Sequence, residues 1–68
     1  MSEIVFVVEH APEGGYVARA LGEAILTEAD SLEEIRIAVQ DAVHCHFDAG
    51  QSPKVIRLHF VRDELLAA

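Results

Sequence analysis

Apolar residues fall into two different periods along this chain, and the switch between them outlines a fold. Ile4 to Val8 is an unbroken run of β-branched and aromatic residues, Ile-Val-Phe-Val-Val, which predicts a strand with apolar side chains on both faces. Ala11-Pro12-Glu13-Gly14-Gly15 then predicts a turn, since proline presets φ and glycine enters positive φ without a Cβ clash. Tyr16 to Leu21 is the antiparallel partner, Gly22-Glu23 reverses the chain again, and Ala24 to Ala29 completes a three-stranded meander. After Ser31 the period changes. Leu32, Ile35, Val39, Ala42, Val43 and Phe47 make a stripe at helical spacing. Ser31-Leu32-Glu33-Glu34 reads as a capping box, with two acids in the first turn where the helix dipole favours them. Gly50 and Pro53 bound a helix predicted from Leu32 to about Ala49. Val55 to Val61 returns to a period of two, with Ile56, Leu58 and Phe60 on one face and Arg57 and His59 on the other.

The order is β-β-β-α-β, an α+β fold. Strand three runs the same way as strand one, so the helix must carry the chain back across the sheet. A right-handed crossover sets strand four beside strand one and parallel to it, which gives a four-stranded mixed sheet of order 3-2-1-4 with one helix on one face. The expected core joins Ile4, Phe6 and Val8 to Ile56, Leu58 and Phe60, beneath Leu32, Ile35, Val39, Val43 and Phe47. Ala18 and Ala20 are the small residues that let the helix approach strand two. Alternation sends Val5, Val7, Val17, Arg19, Arg57, His59 and Val61 to the opposite face. A valine centre rimmed by arginine and histidine has the pattern of a self-association interface. For residues 63–68 the pattern allows either a helical turn or a trailing edge.

Length and charge sharpen this picture. At 68 residues the chain is one domain, 1–68, burying only about 60% of the surface its unfolded form exposes. Scaffolds this small lean on disulfides, a metal or self-association. Cys45 is the only cysteine, so an intrachain disulfide is excluded and oligomerisation is expected, a homodimer being the simplest closed form. A lone cysteine, with no charged-then-apolar leader, fits a reducing cytoplasm. No apolar run approaches the roughly 18 residues that span a bilayer. Twelve Asp and Glu stand against five Lys and Arg, a formal charge of −7. With no basic cluster, nucleic-acid binding by this chain alone is disfavoured, whereas an acidic surface suits a basic protein partner. Glu9 and Glu13, at the first hairpin, are the acids expected to face it.

The residues offer no catalytic constellation. His44 and His46 sit roughly 200° apart around a helix and cannot chelate together, since helical metal pairs use i, i+3 or i, i+4 spacing. His46 continues the Val39 and Val43 stripe, which makes it a border or core histidine. Cys45 reads as an inert, partly buried thiol with no basic group placed to activate it. His10 and His59 are able to meet across strands one and four. Gly14-Gly15 joins strand to strand, whereas a phosphate cradle needs a helix to follow. No enzymatic activity, metal or cofactor is expected.

The apolar first strand, the acidic-Gly-Gly-Tyr-Val-Ala run at Glu13 to Ala18, and Ser-Leu-Glu-Glu at Ser31 to Glu34 with Val39, Ala42 and Val43 behind it resemble the HicB-type antitoxin family of bacterial and archaeal toxin–antitoxin modules. The resemblance covers roughly the first fifty residues. It implies a partial ribonuclease-H-like fold and a non-catalytic protein that covers the active site of a small basic toxin cleaving messenger RNA. It carries over no catalytic residues. Family members commonly repress their own operon through a separate C-terminal DNA-binding domain, and none is expected here, because the sequence given stops soon after strand four. Leu21-Gly22-Glu23-Ala24 is also shorter than the Pro-rich stretch many members carry. The alternative is a stand-alone oligomeric domain of the same fold with a structural or small-ligand-binding role.

Overall fold

The computed structural model describes residues 3–48 and 50–68. Five elements follow in the predicted order: β1 (Glu3–His10), β2 (Tyr16–Ala20), β3 (Leu26–Ala29), α1 (Leu32–His46) and β4 (Val55–Phe60). The sheet order is β3-β2-β1-β4, with β1 antiparallel to β2, β2 antiparallel to β3, and β4 parallel to β1. This is the α+β arrangement that the two periods require. Among the described residues, no helix is long and apolar enough to cross a membrane.

Ser31 begins the helix. Its extended backbone and its hydroxyl, which accepts from the Glu34 N–H at 3.1 Å, make it the N-cap. The return bond differs from a standard capping box: the Glu34 carboxylate accepts from the Asp30 N–H at 3.4 Å, one residue upstream. The Ser31 hydroxyl satisfies a donor of the first turn, and the Glu34 carboxylate satisfies one just upstream of the cap. Ser31→Ala is therefore expected to cost about 1 kcal/mol in denaturant unfolding and Ser31→Asp nearly nothing. Equal stability of the two variants would mean that Ser31 is not capping.

The helix closes earlier than its apolar stripe suggests. Its expected end at Ala49 lies outside the described residues, but Phe47 is already an extended C-cap whose N–H donates to the Val43 carbonyl at 3.2 Å. Gly50, at φ +88°, shapes the turn that follows and does not terminate the helix. Phe47 packs against the core from the cap position. Gly15 is the glycine that the fold requires most directly: at φ +80°, a Cβ there would lie 2.7 Å from the Ala29 carbonyl oxygen of the neighbouring strand.

The core consists of Ile4, Phe6 and Val8 from β1, Ala18 and Ala20 from β2, Ile25, and Ile35, Val39 and Val43 from α1. The two alanines do occupy the crowded sheet centre. Ile25 joins from the turn before β3, where its carbonyl accepts from the Ala20 N–H, so that the strand starts at Leu26 and not at Ala24. Phe60 departs from expectation. It is paired with Val8 and so faces the helix side, yet it is 48% exposed, and Ile56 and Leu58 are only partly buried. The cause is the short β3–α1 connection. The helix starts over the β2–β3 half of the sheet, which leaves the far end of β4 without cover.

A candidate partner-binding cleft

The two motifs behind the family resemblance meet in space. Gly14 and Tyr16, from the Gly-Gly-Tyr run, and Glu34, from the capping sequence, line one cleft of about 580 Å³ beside the N-terminal half of α1. The local folding is direct: the hairpin turn brings Tyr16 opposite Ala29 in β3, and β3 leads through Asp30 and Ser31 into the helix. Ala11, Ala29, Ile37 and Ala38 supply apolar wall. Asp30, Glu34 and Asp41 make the cleft acidic, Glu28 borders it while its side chain, registered with Val17, turns to the open face of the sheet, and no Lys, Arg or His lines the cleft among the described residues.

The electrostatics follow from that list. Glu34 is engaged with the Asp30 N–H, whereas Asp30 and Asp41 have no cationic partner among the described residues. Carboxylates gathered on a concave surface focus a negative field outward and raise the local concentration of cations. The Tyr16 ring lies 4.6 Å from the His10 ring, presenting an aromatic wall on which a guanidinium is able to stack. Chemically, the cleft suits an exposed Lys or Arg side chain of another macromolecule.

The sequence-predicted positions lie elsewhere. Glu9 is on β1 and accepts from Arg19 at 3.3 Å. Glu13 is exposed in the turn next to Gly14, outside the cleft. Of the sheet-face residues, Val5, Val7 and Val17 are half-buried without the helix above them, and Arg19, Arg57, His59 and Val61 are exposed. Arg19 is paired across to Leu26, which is 64% exposed, so that the apolar centre extends onto β3. Arg57 donates two hydrogen bonds to Glu3, at 2.8 and 3.3 Å. Those bonds, the largest effect, lower the Glu3 carboxyl from its ordinary value against an opposing desolvation effect, with the Arg57 charge adding a smaller lowering. A lowered folded-state pKa means that the stabilisation is present at neutral pH and lost as pH falls through the lowered value.

Three single-residue expectations need correction. His46 is exposed, pairing with Glu23 at 3.2 Å and lying edge-on to Phe47 at 4.9 Å, because the helix ends there and the stripe no longer points into the core. Cys45 is exposed and not partly buried. His10 and His59 do not meet: His59 is registered against Val7, on the face opposite to His10. The acidic cleft residues Asp30 and Asp41 were missed. A signal was available, since Glu34, Ile37, Ala38 and Asp41 sit at i, i+3, i+4 and i+7, one continuous helix face.

No family model matches the chain, and no solved structure gives a significant match. Two curated relatives do. A UPF0150 protein of Archaeoglobus fulgidus is 52% identical over 52 residues, 76% of this chain and 77% of its own length. A UPF0150 protein of Thermotoga maritima is 40% identical over 65 residues, 96% of this chain and 91% of its own length. With nearly the whole of its length aligned at that identity, this chain belongs to the UPF0150 protein family.

Proposed function

We propose that this chain is a non-catalytic, HicB-like antitoxin-type protein of the cytoplasm, which binds and occludes a small basic toxin that cleaves messenger RNA. One observation carries the reading: the Gly-Gly-Tyr and Ser-Leu-Glu-Glu runs on which the resemblance rests converge on a single acidic cleft. Carboxylates crowded without cations relieve their repulsion by accepting a basic partner. The formal charge of −7 steers such a partner from a distance, and tight contact at the cleft then retains it. Co-expression with the product of an adjacent short basic reading frame is the test. Rescue of growth with co-purification of the pair supports the proposal; a toxic neighbour that is neither rescued nor recovered with this chain rejects it.

A second reading, an oligomeric domain without a toxin partner, is favoured by the open face of the sheet. Val5, Val7 and Val17 form an apolar centre there, with Leu26 and Val55 at its edges. A two-fold pairing of this patch with itself needs no second surface. Val7→Glu places a charge at its centre and is expected to lower the assembly state measured by light scattering at tens of micromolar. An unchanged mass would remove this face from any interface.

A further inference from the structure

Residues 61–68 differ from the rest of the chain. They form neither helix nor strand, and every one of them is exposed. The molecule measures 51 Å along its long axis against 19 and 18 Å across. A backbone anchor holds the start of the segment, the Val61 N–H donating to the Val8 carbonyl at 2.9 Å. Beyond it, Asp63 and Glu64 precede Leu65 and Leu66, which are 98% and 85% exposed. The two adjacent leucines give the segment a small apolar surface open to contact.

The chain also carries an unfilled groove of matching character. It runs between α1 and β4 and holds about 400 Å³. Val39, Val43, Pro53, Ile56 and Leu58 form its apolar lining, where the helix fails to cover β4. Arg36, His44 and Lys54 form its rim. Arg36 and Lys54 have no carboxylate partner among the described residues, whereas Arg19, Arg57 and Arg62 are each paired with a glutamate. The two unpaired cations of an acidic chain therefore flank one apolar groove.

We propose that residues 61–68 of one copy dock in the α1–β4 groove of a second copy, with Leu65 and Leu66 on its apolar lining and Asp63 and Glu64 toward Arg36 and Lys54. Charge complementarity selects this occupant: the segment carries two carboxylates, one of them paired with its own Arg62, beside two leucines, and the groove is apolar with a basic rim. A second copy fits better than the chain's own groove. The segment leaves from the Phe60 end of β4, Pro53 and Lys54 lie at the opposite end, and residues 61–68 contain no glycine or proline to form the required reversal. Reciprocal exchange of two segments closes the assembly as a two-fold pair. This pairing uses the helix side of the sheet and is independent of the acidic cleft and of the open face.

Sedimentation equilibrium of the intact chain at tens of micromolar tests the exchange, with thermal melting as a folding control. Leu65→Asp/Leu66→Asp is expected to halve the assembled mass while leaving the melting of the isolated fold intact, since both side chains are already exposed. Arg36→Glu/Lys54→Glu is expected to halve it as well, and adding Asp63→Lys/Glu64→Lys in the same chain to restore it. A wild-type chain that is monomeric, a leucine variant of unchanged mass, or a charge swap that fails to restore assembly would each overturn the proposal.

Discussion

Phe6→Ala is expected to abolish the cooperative thermal transition of this protein. Phe6 is fully buried at the centre of the sheet, on the helix side, between Ala20 of β2 and Leu58 of β4 in the register. Truncating such a ring removes its transfer free energy and leaves a cavity that neighbouring strands fill only partly, about 3–5 kcal/mol in sum. Whole-domain stability runs at roughly 0.05–0.15 kcal/mol per residue, so the loss is comparable to the entire stability of a chain this short. Ile37→Ala makes the contrast. Ile37 is 56% exposed on α1, at the wall of the acidic cleft, and its replacement is expected to change stability by no more than about 0.5 kcal/mol. A Phe6→Ala protein that melts with the wild type would show that the core lies elsewhere.

The second large effect concerns the cleft. Asp41→Lys converts a cleft carboxylate to a cation at an exposed position that takes part in no hydrogen bond or ion pair among the described residues. Folding stability is expected to stay within about 0.5 kcal/mol of the wild type, as for surface substitutions in general. Affinity for a basic partner is expected to fall at least tenfold at low salt. Raising the salt should shrink the gap, because exposed charges are screened over about 8–10 Å at physiological ionic strength. Glu9→Lys provides the comparison: Glu9 is on the sheet and bonded to Arg19, so reversal there changes the long-range field without touching the cleft. An Asp41→Lys variant that binds as tightly as the wild type at every salt concentration would separate the cleft from partner binding.

Most of the fold is legible in the sequence because period and turn chemistry act locally. The run at Ile4 to Val8, the Gly-Gly turn and the Ser31 cap each constrain a few neighbouring residues, and one topology joins them. Phe60 shows where that logic stops. Its alternation is right and its face is right, but burial depends on where the helix lies over the sheet, and a short β3–α1 connection holds the helix away from that corner. His46 departs for a related reason: it is the last residue of α1, and the C-cap Phe47 beside it packs on the core while His46 turns out to Glu23. The cleft is assembled from the first hairpin, β3 and α1, so no single window displays it. Glu34 was legible as a cap and Tyr16 as a strand residue, and only packing reveals that they share a wall. Glu9 and Glu13, read from acidity and position near the first hairpin, lie outside this cleft, Glu9 bonded to Arg19 on the sheet and Glu13 in the turn.

RNA cleavage by the basic product of the neighbouring reading frame, followed while this chain is titrated in, tests the antitoxin reading most directly. The expected result is inhibition that becomes complete at a fixed stoichiometric ratio, with Asp41→Lys requiring at least tenfold more protein. Cleavage that continues unchanged at excess wild-type chain would contradict occlusion by the acidic cleft.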